Sequence, residues 1–258
     1  MKIHQLRNAT ILLDFRRVRL LVDPMLMEKH TLPPLRLFKY RERNPAVGLP
    51  NNAKEILGRA THCLITHFQK GHFDHLDKAG VKWLRERRLP VYRIPRDADV
   101  LAKKGLDVIP LERDFSEPQS FLDGTVRLTP CRHGRGLAGL FMEHGVGYFI
   151  RIPGEPSVLV TGDTILTPEL RAFVGTHVPD IVVAPAGGAR FDIGGEIIMN
   201  ANDMVELARL TPGRIIANHL GAISHCTVTR EDVEQRALQT GLQHRIYAPA
   251  DGETLELN

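Results

Sequence analysis

Short apolar runs rich in β-branched residues end again and again on a histidine or an aspartate in this chain, and this constrains the fold more than any other feature. His62-Cys63-Leu64-Ile65-Thr66 runs into His67, and Val126-Arg127-Leu128-Thr129-Pro130 is followed by His133. Val158-Leu159-Val160-Thr161-Gly162 runs into Asp163, and Arg214-Ile215-Ile216-Ala217-Asn218 into His219. Runs of this length bounded by Gly, Pro and Asn read as buried strands. Strand ends on one sheet edge would present His67, His133, Asp163 and His219 together, where α/β architectures place ligands. Singly, each residue is ambiguous. An Asp in Gly162-Asp163-Thr164 reads equally as an Asx turn or a helix cap, and His133 in a Gly-rich loop as a solvated side chain.

The first of these runs opens the densest stretch of the chain: His67, His72, Asp74 and His75 fall within nine residues. Imidazole nitrogens beside a hard carboxylate oxygen are the donor set of zinc, manganese and iron. A polar loop that happens to be His-rich is the bland alternative, and the recurrence of the same residue types downstream weighs against it.

In their order and strand context, His72-Phe73-Asp74-His75, His133, Asp163 in Thr-Gly-Asp-Thr and His219 in Ala-Asn-His-Leu resemble the signature of the metallo-β-lactamase-fold hydrolases. The resemblance spans nearly the whole chain, because Ala9 to Leu13 and Leu20 to Pro24 also resemble that family's first strand pair. Within the family the chain is most similar to the branch of L-ascorbate-6-phosphate lactonase and the N-acyl-phosphatidylethanolamine phospholipase D-like proteins. That choice rests on Val22-Asp23-Pro24, the loop from Arg43-Asn44-Pro45 to Leu49-Pro50, and Ala186-Gly187-Gly188 with Met199.

The resemblance implies an α/β (α+β) fold, a four-layer αββα sandwich of two facing mixed sheets flanked by helices. It implies two divalent metal ions, Zn²⁺ first with Mn²⁺ or Fe²⁺ as alternatives. His67, His72 and His133 would hold one, Asp74, His75 and His219 the other, and Asp163 would bridge. Such a pair lowers the pKa of a bridging water and polarises a carbonyl or phosphoryl oxygen. Asp74 would also orient the water or shuttle its proton. The chain departs from the pattern at one place. Phe68, Gln69, Lys70 and Gly71 separate His67 from His72, where the family has one residue. If the insert loops out, Gly71 supplies the unusual backbone angles and His67 remains a ligand. If it does not, Lys70 takes that slot and the first site loses a donor. Asp23, Asp77 and Thr164 are candidates to orient the ligating histidines from behind, with turn or capping roles as their alternative.

Length and composition agree. The chain has 258 residues, 43% of them hydrophobic and 25% charged, which suits one globular domain over 1–258. No apolar run approaches the length of a membrane span and no contiguous apolar signal core opens the chain, so a cytoplasmic location is the expectation. Cys63, Cys131 and Cys226 are an odd, sparse set, read as reduced thiols. The latter two lie near proposed ligands, though a small buried hydrophobe is the favoured role. A net charge of +4 suits a small anionic substrate and is compatible with nucleic acid.

Helices are expected at 77–88, 97–104, 166–173, 202–210 and 229–239, with Asp97, Asn202 and Thr229 as start signals. In the first, Trp83 and Leu84 point inward. Residues 9–24 and 147–164 echo each other, each two apolar runs joined by a polar turn and each ending in an Asp, as two facing halves would. Residues 28–50, with Arg36, Lys39, Arg41 and Arg43, read as an irregular substrate-side loop offering cations to phosphate or carboxylate, or as a surface connection or dimer contact in a homo-oligomer. Arg132, Arg135, Arg190 and His225 are further substrate-side candidates, and His225 is a candidate for proton transfer. The leading expectation is a binuclear hydrolase of a small anionic ester, lactone or phosphodiester. A metal-dependent RNA or DNA nuclease and a non-catalytic metal-binding descendant used for partner recognition are the alternatives.

Overall fold

The computed structural model describes residues 1–36, 38, 41–68, 73–134 and 145–257. Among these residues the strands form two seven-stranded sheets. The first contains β1 (Lys2–Arg7), β2 (Thr10–Asp14), β3 (Arg19–Val22), β4 (His62–Leu64), β5 (Pro90–Arg93) and β6 (Asp107–Pro110) in that order, with β14 (Thr254–Glu256) returning to pair with β1. The second runs β7 (Gln119–Phe121), β8 (Gly124–Pro130), β9 (Val146–Arg151), β10 (Val158–Val160), β11 (Ile181–Pro185), β12 (Arg214–Asn218) and β13 (Ile246–Tyr247). Each sheet is mixed: antiparallel through β3 in the first and β10 in the second, and parallel thereafter.

The strands read as continuous apolar runs because both of their faces are covered. In β2, Ile11 and Leu13 join the core between the sheets, while Leu12 turns to the helical layer outside. From the other sheet Val126, Leu128, Tyr148, Ile150 and Val160 meet the same central core. Helices α4 (Pro168–His177), α5 (Ala201–Leu210) and α6 (Arg230–Gln239) follow in the second half, and their Leu170, Val174, Met204, Leu207 and Val233 cover its outer face. Helices α1 (Ala53–Gly58), α2 (Lys78–Arg87) and α3 (Pro95–Ala102) belong to the first half. Leu84 of α2 is buried, and Arg87 lies over the half-buried Trp83 ring. These layers are the αββα arrangement.

The helix starts refine the sequence expectations. The third helix begins with Pro95 at its first position, so Asp97 lies inside the first turn, where its carboxylate takes the Arg93 guanidinium. In α5 the cap is Asn200 rather than Asn202, in a capping box with Asp203, and Thr229 caps α6 in the same way with Asp232. Helix α1 was not expected; six residues are too few for the helical period to show, and Ala53, Ile56 and Leu57 bury it against the first sheet. No helix among the described residues is long and apolar enough to cross a membrane. The segment from Pro24 to Pro50 is irregular where described, with one isolated bridge between Leu32 and Asn44. The fully buried Arg7 ties it down by donating to the carbonyls of Met25, Met27 and Val47.

Candidate metal centre

Four strand ends and one loop converge on a buried cluster. Beyond β4, the carbonyls of Ile65 and Thr66 both accept from Arg93 Nη1, at 3.2 and 2.9 Å, and Tyr148 donates its hydroxyl to Ile65. These bonds fix the chain where it delivers His67. Beyond β10 the chain turns at Gly162, with φ of +64°, and a Cβ there would lie 3.0 Å from the Val146 carbonyl, so glycine suits the approach to Asp163. Beyond β12, His219 adopts φ of +57° and its backbone N–H donates to Asn8 O at 3.1 Å. Asp74 and His75 come from the loop that leads into α2.

One ligand atom from each of Asp74, His75, Asp163 and His219 lies within 4.8 Å of every other, and all four residues are buried. Asp163 Oδ2 is the focus, 3.0 Å from His75 Nε2, 3.3 Å from His219 Nε2 and 3.7 Å from His133 Nε2. Asp74 Oδ2 lies 3.5 Å from His219 Nε2. The His67 ring is buried, its centroid 5.4 Å from those of both His75 and His133. His67, Asp74, His75, His133, Asp163 and His219 are thus brought together. His72 and the preceding Lys70 and Gly71 lie outside the described residues, as do Lys39 and Arg135.

The donor set fits a divalent cation, and hydrogen bonding behind the rings says why. His133 Nδ1 sits 2.8 Å from the Ile197 carbonyl, which can only accept, so the proton is on Nδ1 and the lone pair on Nε2. His75 Nδ1 sits 2.8 Å from Asp23 Oδ2, with the same consequence. In the neutral rings both lone pairs then face the anionic oxygen of Asp163, an arrangement that repels unless a proton or a metal cation lies between. Burial opposes charge on His75 and His219, but Asp163 together with Asp23 at the first and with Cys226 and Asp74 at the second outweighs it, raising both imidazole pKa values well above the ordinary one. Burial likewise opposes the Asp163 carboxylate, yet His219 and His75 hold its pKa well below the usual range. The field demands cations, and metal ions can supply that charge in place of protons.

The candidates for orienting groups separate. Asp23 does back a cluster histidine: besides His75, it accepts from the Thr66 backbone N–H at 2.8 Å and from the Thr66 hydroxyl. Asp77 instead caps α2, accepting from Gly80 N, and accepts from Met27 N as well. Thr164 serves its own turn, accepting from Arg132 N and donating to Ile165 O. His225 is buried with its ring centroid 6.5 Å from that of His219 and 5.9 Å from that of Phe191, and desolvation lowers its pKa to about 4. Arg36 is buried against Asp192, and Arg43 donates to the carbonyls of His30 and Thr31, so these two are engaged within the fold. Arg190 reaches Thr227, and Arg132 is exposed beside Glu169. A cavity of about 700 Å³ lies against the segment carrying Phe191, Ile193 and Ile197. The cysteines are free thiols; Cys131 donates to Thr161 O, and Cys226 lies against His219.

Sequence reasoning missed Asn8 and Arg93. Asn8, fully buried at φ of +55°, donates from Nδ2 to Asp74 O at 3.0 Å and lies 3.3 Å from His219 Nε2. An Asn between two strands signals a turn, and nothing local shows that the turn ends under the cluster.

No family model matches the chain. It is 30% identical over 259 residues to UPF0173 protein YddR of Bacillus subtilis, covering 98% of this chain and 99% of the relative. Over 209 residues it is 28% identical to a UPF0173 metal-dependent hydrolase of Azorhizobium caulinodans, covering 76% and 77%. Among solved structures it is similar to the isothiocyanate hydrolase from Delia radicum gut bacteria, at a TM-score of 0.87 and 29% identity over 100% of this chain and 99% of the other. The metallo-β-lactamase fold protein YhfI from Bacillus subtilis shares the fold at a TM-score of 0.64, with 13% identity and 98% of each chain covered. The strand order, the buried Asp and His cluster and the end-to-end relatives agree: the chain belongs to the UPF0173 family of metal-dependent hydrolases and has the metallo-β-lactamase fold.

Proposed function

We propose that the chain is a binuclear hydrolase in which His67, His72 and His133 hold one divalent cation, Asp74, His75 and His219 hold a second, and Asp163 bridges them. The observation that carries this reading is the convergence of three Nε2 atoms on Asp163 Oδ2 while His75 and His133 have their protons committed behind them. The bound cations, Zn²⁺ first and Mn²⁺ or Fe²⁺ as alternatives, would supply an acidified water and a Lewis acid for the electrophile. The chain's own residues do the rest. Asp23 and Ile197 O hold two rings in the ligating tautomer. Asp74 and Asp163 would supply compensating negative charge, and Asp74 would also orient the water or shuttle its proton. His225, buried and held neutral by desolvation, would serve as a hydrogen-bonding group toward the substrate.

The substrate is a small molecule. A net charge of +4 and the resemblance of Val22-Asp23-Pro24 and Ala186-Gly187-Gly188 to the lactonase branch support an anionic ester, lactone or phosphodiester. A second reading is favoured by the 29% identity to an isothiocyanate hydrolase over the whole chain: attack on the central carbon of an uncharged isothiocyanate. Elemental analysis of protein purified without chelator should give about two metal equivalents per chain, falling below one in Asp163→Asn. Hydrolysis of a panel of lactones, phosphodiesters and isothiocyanates should vanish on chelation and return with Zn²⁺ or Mn²⁺. A wild type that binds no metal, or that hydrolyses equally well with a chelator present, would sink the reading.

A further inference from the structure

Each of the three imidazoles around Asp163 backs onto a different partner. His75 has a carboxylate, His133 a carbonyl, and His219 the sulfur of Cys226, 3.3 Å from its Nδ1. A thiol can donate or accept, so that contact alone leaves the His219 tautomer undetermined. The binuclear site proposed above determines it. With Nε2 directed at the cation, beside Asp163 Oδ2 at 3.3 Å and Asp74 Oδ2 at 3.5 Å, Nδ1 carries the proton and the sulfur is the acceptor.

The surrounding backbone is shaped to put sulfur there. Cys226 N–H donates to Ile223 O at 2.9 Å, and the N–H groups of Thr227 and Val228 both donate to Gly187 O. A Cβ on Gly187 would lie 2.3 Å from the His219 carbonyl and 2.9 Å from Cys226 Sγ. Only the missing side chain lets the segment after β11 close on both residues at once.

We infer that Cys226 is a positioning residue for the metal centre, its sulfur accepting from Nδ1–H of His219 and so holding Nε2 toward the cation shared with Asp74 and His75. This rests on the binuclear reading above. Sulfur is a weaker acceptor than the oxygens behind His75 and His133. His219 is therefore the least electron-rich of the three rings, and its hold on its cation depends on the sulfur behind it.

The test is a Zn²⁺ titration of metal-stripped wild type, Cys226→Ala and Cys226→Ser against a chromogenic chelator, repeated with Co²⁺ as a spectroscopic probe. Wild type should bind two ions, the second being the one His219 holds. Cys226→Ala should weaken the second by roughly 10- to 100-fold and leave the first within about twofold. Cys226→Ser, which restores an acceptor, should recover most of the loss. In Co²⁺ protein the ligand-field bands of the second ion should shift in Cys226→Ala, without any sulfur-to-cobalt charge-transfer band in wild type. Unchanged affinities in Cys226→Ala would overturn the inference. So would equal losses at both ions, which mark general damage, or a charge-transfer band abolished by the substitution, which marks sulfur as a direct ligand. A wild type that takes up no metal would overturn the binuclear reading itself and this inference with it, an outcome distinct from the other three.

Discussion

Asp23→Asn is the sharpest single perturbation of the cluster that leaves every proposed ligand in place. Asp23 is buried at φ of +48°, and three donors meet its two oxygens: Thr66 N–H on Oδ1, and the Thr66 hydroxyl and His75 Nδ1–H on Oδ2. An asparagine has one acceptor oxygen and one donor NH₂. With the oxygen toward Thr66 N–H, the NH₂ faces His75 Nδ1–H; with the oxygen toward His75, it faces Thr66 N–H. Either way a buried donor is left unmatched, at about 1–3 kcal/mol. In a chain of this size that lowers Tm by on the order of 5 °C. The first arrangement has a second effect. His75 escapes the clash by moving its proton to Nε2, which points at Asp163 and then has no lone pair for a cation. Metal affinity should fall by roughly 10- to 100-fold, or about 1.4–2.7 kcal/mol. Chelator-competition titration reads the affinity, and thermal unfolding with and without Zn²⁺ reads the stability, so the metal-induced rise in Tm should shrink in the variant. An Asp23→Asn protein that loses stability yet binds metal within about twofold of wild type would refute the tautomer argument, reducing Asp23 to a structural anchor for Thr66.

Two further outcomes follow from the buried charges. In metal-free protein the raised pKa values of His75 and His219 contribute stability that is present below their ordinary value of 6.5 and lost as pH rises through the raised ones. His225, lowered to about 4 by burial, removes stability as pH falls from 6.5 toward that value, and the depressed Asp163 and Asp74 remove more in stronger acid. Metal-free Tm should therefore peak near pH 6.5 and decline toward pH 9, and Zn²⁺ should abolish the alkaline decline, because metal favours the deprotonated ligands; a metal-free profile flat above pH 7 would contradict the assignment. Arg93 and Asp97 form a buried pair, with Nε 2.7 Å from Oδ2. Arg93→Met should cost about 3–5 kcal/mol in urea unfolding by stranding the aspartate, and Arg93→Met with Asp97→Leu should recover at least half of it; equal losses in the single and double variants would show that the guanidinium acts through Ile65 O and Thr66 O alone.

The strand-end histidines and aspartates were legible because the strands that deliver them are covered on both faces. Such strands write themselves as unbroken apolar runs, and the first polar residue beyond each run is the one at the sheet edge. Groups one step behind the cluster were much harder to read. Asn8 reaches Asp74 across 66 positions and His219 across 211, and Cys226 reads as a small hydrophobe until Gly187 brings it against His219. Asp23 and Asp77 were equivalent candidates in sequence. Tertiary structure separates them, turning one toward His75 and the other into a helix cap. The cations of the 28–50 segment had a composition suited to anion binding, yet Arg36 is buried against a carboxylate and the exposed Arg43 bonds two carbonyls of its own segment. Composition records that charge is present and not which partner neutralises it.

The echo between residues 9–24 and 147–164 carries one more step. In each half an antiparallel pair, β2 with β3 and β9 with β10, hands over to a parallel strand, β4 or β11. In each half an aspartate stands just beyond the second strand of the pair. Equivalent positions thus bring two carboxylates to the seam between the sheets, and their surroundings divide the work. Asp23 is matched by Thr66 and His75, so its charge is spent on holding a ring. Asp163 meets ring nitrogens from three other segments, two of them with their protons committed elsewhere, so its charge is left for a cation. His75 lies between the two carboxylates, Nδ1 toward one and Nε2 toward the other. A proton on the first side leaves a lone pair on the second, and the two halves of the sandwich are thereby coupled through a single imidazole at the point where metal would bind.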